Sequence, residues 1–212
     1  MDGKNSMTRP WTAPGLWLRW MAATTAGVVL AFAAFVALFS IIGEPADAVF
    51  PIIVTGFGMV IGAFQQRVLR QGLADARRWA LATGFGLGVG IAVVVAVGLG
   101  DTAGLVAQIA QGAVAGAVAG AIIGTLQWLV LRSRVPESRW WVPASIGGWV
   151  TGVAAGDAVG YFAAGLDLVV APIVAASVTG IALVAFHRLR QDDGPRIDAL
   201  SAAAPSPRAT GH

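Results

Sequence analysis

The chain contains no cysteine and only two histidines, His187 and His212. Disulfides, thiolate metal sites, cysteine nucleophiles and a lipoprotein-type anchor are thereby excluded, and no imidazole cluster is available for zinc or haem. No metal and no cofactor are expected. Charge is scarce as well: Asp, Glu, Lys and Arg make up 12% of 212 residues, whereas hydrophobic residues make up 57% and the mean hydropathy is +0.74. A soluble domain of this size has too little interior to hide so much apolar surface. Glycine, in contrast, is abundant at 28 residues, with alanine and valine filling the runs between, as in closely packed membrane helices. The fold class is therefore an all-α integral membrane protein. The net charge of +3 and pI near 10.5 fit a basic face against anionic lipid headgroups, so the expected partner is the bilayer and not nucleic acid.

A hydrocarbon core about 30 Å thick takes roughly 20 apolar residues to cross as a helix. Six stretches bounded by charge qualify: Met21 to Ile42, Ala48 to Gln66, Trp79 to Leu99, Gln108 to Leu131, Trp140 to Tyr161 and Leu168 to Phe186. The first is too long for the apolar region of a signal peptide, so it is kept as a helix. All fourteen basic residues fall on one side of this arrangement, before helix one, between two and three, between four and five, and after six. The remaining turns carry Glu44 and Asp47, then Asp101, then Asp167. The positive-inside rule thus predicts both termini in the cytoplasm. Residues 1–18 are expected to form a cytoplasmic or interfacial N-terminus, residues 19–188 the membrane domain and residues 189–212 a disordered tail.

An internal repeat organises the membrane domain. Gly62-Ala-Phe-Gln65-Gln-Arg-Val-Leu69-Arg70 aligns without a gap with Gly124-Thr-Leu-Gln127-Trp-Leu-Val-Leu131-Arg132, and the same offset pairs Trp79 with Trp141, Gly86 with Gly148 and Gly90 with Gly152. A weaker third copy ends helix six, where Gly180 precedes Arg188 by the same interval but Leu183 stands in place of the glutamine. Helix one matches the start of helix three, with Trp20, Thr24 and Gly27 beneath Trp79, Thr83 and Gly86. Three helical hairpins, 19–70, 78–132 and 140–188, follow as a parallel repeat, giving six transmembrane helices around a pseudo-threefold axis. Glycines at spacing four mark the expected packing stripes: Gly58 and Gly62, Gly86 and Gly90, Gly112, Gly116, Gly120 and Gly124, then Gly148, Gly152, Gly156 and Gly160.

Few residues have the chemistry for a site. Asp157 is the one ionisable residue inside a span, near its outer end, where a carboxylate either binds a proton or cation or simply meets water. Gln65 and Gln127, one turn before the cytoplasmic ends of helices two and four, have amides that bond across helices or bind a polar ligand or headgroup. Arg70, Arg132 and Arg188, with Arg77, Arg78 and Arg139, form the expected cytoplasmic ring for anionic headgroups. Trp20, Trp79, Trp128, Trp140 and Trp141 beside them are expected in the interfacial belt, and Trp149 in packing within helix five. No catalytic constellation stands out. The glycines from Gly84 to Gly90 lie in a span rather than a phosphate loop, and Pro143-Ala-Ser145-Ile-Gly147 lacks the first glycine of a nucleophile elbow.

The segment from Gly124 to Arg132, followed by Trp140-Trp141-x-x-Ala144-Ser145-x-x-Gly148-Trp149, resembles bacterial multi-pass membrane proteins of no established function in which these motifs recur. The resemblance is strongest over residues 58–152. It implies a compact helical domain of the bacterial cytoplasmic membrane, sometimes beside signalling modules, and transfers no activity or site. Two functions remain expected. One is a membrane scaffold or sensor-type domain, not an enzyme, acting through helix, lipid or partner contacts, with another membrane protein or a second copy as partner. The alternative is a transporter or channel for a small solute, ion or proton, favoured by Asp157, the amides and the pseudo-symmetry.

Overall fold

The computed structural model describes residues 12–43, 46, 48–70, 78–98, 104–133 and 135–203. The acidic turns at Glu44, Asp47 and Asp101, together with Arg77 and Arg134, lie outside the described residues. Six helices follow in order: α1 (Ala13–Ile42), α2 (Phe50–Leu69), α3 (Trp79–Ala96), α4 (Leu105–Leu131), α5 (Trp141–Gly160) and α6 (Asp167–Ala203), with a 3-10 turn at Pro136–Trp140 leading into α5. No strand occurs among the described residues. Helices are the expected solution, because a chain this apolar must satisfy its backbone groups internally if it sits in lipid.

Five helices are long and apolar enough to cross a membrane: α1, α2, α3, α4 and the Asp167–Arg188 part of α6. The sixth expected span, α5, is long enough at 20 residues, but glycines, Ser145, Thr151 and Asp157 dilute its hydropathy. The ends also differ from expectation. The α1 helix begins at Ala13, helped by Pro14 in its first turn, and so takes in Trp17 and Arg19. The α6 helix continues to Ala203, past residue 188, since extending an already nucleated helix costs little per residue.

Each helix packs against its chain neighbours, and α6 closes back on α1, so the six form a ring. A glycine stands at every junction of this ring. A methyl group added at Gly27 would lie 2.9 Å from Ile61 Cα, at Gly62 2.7 Å from Ala80 Cα, and at Gly86 2.8 Å from Ile123 Cα. The same holds for Gly120 at 2.9 Å from Ile146 Cα, Gly148 at 2.9 Å from the Ala175 carbonyl oxygen, and Gly180 at 2.9 Å from Trp20 Cδ1. These are separations that real Cβ atoms essentially never show, so the helix axes approach closely only where the side chain is absent. Where α1 stops and just before α6 begins, Gly43 and Gly165 adopt φ of 73° and 86°, the left-handed region that lets a helix stop abruptly or start anew.

Candidate functional site

Helical periodicity aims one row of side chains from each odd-numbered helix at the ring's interior. On α3 the row is Trp79, Thr83, Leu87 and Ile91, and on α5 it is Trp141, Ser145, Trp149, Val153 and Asp157, all at steps of four. The first members meet. Trp20, Trp79 and Trp141 are 1%, 0% and 1% exposed and touch pairwise edge to face, with ring centroids 6.0, 6.1 and 5.5 Å apart. Leu69, Leu131, Val135 and Phe186 complete this apolar cluster. The expectation that these three tryptophans belong to an interfacial belt is thus corrected. They alternate with Thr or Ser at a spacing that turns them inward, while Trp140 is exposed beside the Arg139 guanidinium and Trp128 lies under that of Arg132.

One turn further in, the two glutamines join the helices through their amides. Gln65 donates from Nε2 to Thr24 Oγ1 at 3.1 Å and accepts from Trp79 Nε1 at 3.0 Å. Gln127 repeats both bonds, donating to Thr83 Oγ1 at 3.0 Å and accepting from Trp141 Nε1 at 2.9 Å. Each amide thereby ties the threonine of one odd-numbered helix to the tryptophan of the next. Thr83 in turn donates to the Trp79 carbonyl at 3.0 Å, so the glutamine's hydrogen bond does not compete with the hydroxyl proton. All these side chains are buried, and such interhelical bonds in a bilayer contribute about 0.6 kcal/mol each on average. The third place lacks the glutamine. There Leu183 packs against the tryptophan cluster.

Beyond the glutamines the interior opens. A small cavity of about 40 Å³ touches Thr24, Gln65, Thr83, Gln127 and Ser145, and it shares Leu87, Trp149 and Pro172 with a larger cavity of about 210 Å³. The larger one lies among α1, α2, α3, α5 and α6 and is walled by Phe35, Phe50, Phe57 and Trp149. Its polar rim is made by Asp157 and Asp167. Asp157 also lies against Gly112 of α4, close enough that a methyl group at Gly112 would overlap its Oδ2. Sixteen residues separate Trp141 from Asp157, so at 1.5 Å per residue the carboxylate stands roughly 24 Å along α5 from the tryptophan cluster.

The structure therefore brings Gln65 and Gln127 together with three tryptophans and places Asp157 apart from them. Arg70, Arg78, Arg132 and Arg139 are exposed at or beside helix ends on the tryptophan side, Arg188 is exposed within α6, and none of them lines either cavity. The indoles are the residues sequence reasoning missed as a site. Their signal was the Trp-x-x-x-Thr pattern of α1 and α3, echoed as Trp141 and Ser145 on α5, since a step of four puts both side chains on one face. Comparison with known proteins adds nothing to this geometry. No family model, curated protein or solved structure matches the chain.

Proposed function

We propose that the protein is a sensor-type binding domain of the bacterial cytoplasmic membrane, built from three parallel hairpins around a pseudo-threefold axis and held by glycine-lined helix contacts. The observation that carries this reading is a cavity of about 210 Å³ that adjoins, through Leu87, Trp149 and Pro172, the smaller cavity lined by the hydrogen-bonded tryptophans and glutamines. A ligand has room in such an interior, yet the cluster stops a continuous path. For scale, an engineered apolar cavity of about 150 Å³ binds benzene. Aromatic walls with two carboxylates at the rim suit a small apolar molecule bearing a positive charge, held by ring faces and by Asp157 and Asp167. Both termini face the cytoplasm in this proposal, the exposed arginines meet anionic headgroups, and a partner protein or second copy receives the signal.

The test is binding and flux measured on the same preparation. Purified protein in nanodiscs is titrated with benzyltrimethylammonium and with benzyl alcohol, and proteoliposomes are assayed for movement of the same compounds and of small ions. The expected outcome is saturable binding of the cation over the alcohol without protein-dependent flux. Flux would favour the second reading, a transporter, which the placement of Asp157 on the cavity rim supports. Orientation is tested on the cysteine-free chain: single cysteines at Asp47, Asp101 or Asp167 should react with an impermeant thiol reagent from outside intact cells.

A further inference from the structure

At two places around the bundle a carboxamide links a hydroxyl on one odd-numbered helix to an indole on the next, through Gln65 and Gln127. At the third place the corresponding groups are Ser145 Oγ on α5 and Trp20 Nε1 on α1, and the register position that the glutamines hold elsewhere is taken on α6 by Leu183, which packs against the tryptophan cluster. Both groups are buried, both residues being 1% exposed, and neither has a hydrogen-bond partner. Of the three buried side-chain nitrogen or oxygen atoms without a partner among the described residues, two are these. Native proteins fill such vacancies with ordered water or a ligand. We infer that the third junction is a binding site for one small neutral molecule that accepts a hydrogen bond from Trp20 Nε1 and shares one with Ser145 Oγ, replacing the amide this chain lacks.

The surroundings set the chemistry. Trp20 and Ser145 both line the cavity of about 40 Å³, and no charged side chain does, so an ion has no counter-charge there. A water needs roughly 10–15 Å³ of such space, which leaves room for water or for a molecule of the size of formamide. An indole N–H only donates, so the guest must accept from it, whereas the serine hydroxyl takes either role. Water and a primary carboxamide meet both demands. The site adjoins the larger cavity, with which it shares Leu87, Trp149 and Pro172. The site stands on the two orphaned groups and their cavity, whether or not the larger cavity takes a cation.

Indole N–H resonances of the eight tryptophans, in full-length protein carrying 15N-labelled tryptophan in nanodiscs, test this directly. The Trp20 signal is assigned by Trp20→Phe. The expected result is a cross-peak from the Trp20 indole proton to water, or a saturable shift of that signal on titration with formamide. Water contact without a formamide shift assigns the site to water, and a shift that removes the water contact assigns it to the solute. Leu183→Gln, which supplies the amide covalently, should abolish both responses, and Ser145→Ala should weaken the formamide response at least tenfold. A wild-type Trp20 indole with neither water contact nor formamide shift would overturn the inference, as would full persistence of the response in Leu183→Gln.

Discussion

On the tryptophan side of the bundle three indoles and two carboxamides occupy the axis, whereas on the Asp157 side the same axis is hollow. In the first region the polar atoms are consumed by neighbours: Gln65 and Gln127 each bond to a threonine and an indole, and only the junction at Leu183 is left incomplete. In the second region aromatic and aliphatic walls leave about 210 Å³ of space, and Asp157 and Asp167 face it. Buried amides that are satisfied hold helices in register, while carboxylates beside an empty apolar volume have capacity left for something else. In the proposed function the amides hold the frame at one end and the cation sits at the other, and substitutions placed along the axis are the way to break that division.

The largest effect should come from the frame that both regions share. A side chain at Gly152 would overlap the Ala171 carbonyl oxygen, and one at Gly120 would lie 2.9 Å from Ile146 Cα, both backbone atoms that cannot turn aside. Gly152→Leu and Gly120→Leu are therefore expected to prevent a folded, monodisperse protein from being recovered, by size-exclusion chromatography in detergent. Normal elution with an unchanged melting temperature would place these glycines on open surface instead.

Next in size is the loss of an amide. Gln127→Leu recreates at the second junction what Leu183 makes of the third: it strands Trp141 Nε1 in the interior, while Thr83 Oγ1 keeps only its bond to the Trp79 carbonyl. The two bonds alone are worth about 1 kcal/mol together at the bilayer average. Leaving the buried Trp141 indole N–H unpaired adds desolvation of about 1–3 kcal/mol. A loss of about 2–4 kcal/mol is expected in reversible unfolding in mixed micelles, with cation binding at the far end retained. The opposite pattern, intact stability and lost binding, would merge the two regions into one site.

Much of this was legible in the residues, and the failures have physical causes. The helical class followed from composition because no soluble core holds so apolar a chain, and the glutamines stood out because an amide in a span needs a partner. Their partners did not stand out. Trp20, Trp79 and Trp141 sit beside arginines or an exposed tryptophan, a context that a belt residue and an inward residue share in one dimension. Only the step of four to Thr24, Thr83 and Ser145 separates them. The cavity was invisible for another reason: its walls come from five helices, and volume depends on how their axes diverge rather than on any local pattern. The weaker hydropathy of α5 likewise follows from glycines that shorten its contacts to α4 and α6.

A smaller effect, of opposite sign, is expected from Leu183→Gln. The new amide would offer Trp20 Nε1 an acceptor and Ser145 Oγ a donor, as Gln127 does for Trp141 and Thr83. It removes apolar contact with the tryptophan cluster, so the gain is the difference between two bonds and the lost packing of a half-buried leucine. About 1 kcal/mol is the upper expectation at the bilayer average, or about 2–4 °C in melting temperature for a chain of this size. A fall in melting temperature would mean that the third junction is shaped for leucine and that its cavity is not an amide's place.

The smallest structural effect, and the sharpest functional one, belongs to Asp157. Its carboxylate is half-buried, packed beside Gly112 and open to the large cavity with Asp167 nearby. Asp157→Asn keeps the size that fits over Gly112 and deletes only the charge, so the helix contact should survive with a change below about 0.5 kcal/mol, typical of substitutions that leave packing intact. If the cavity holds a cation, the same substitution should weaken benzyltrimethylammonium binding by about tenfold or more while leaving benzyl alcohol unaffected, because a neutral ligand gains nothing from the charge. Isothermal titration on both proteins separates the outcomes. Equal losses for both compounds would mean that the substitution altered the cavity's shape. Equal affinities before and after would mean that the rim charge takes no part, and that the hollow end of the bundle selects by apolar fit alone.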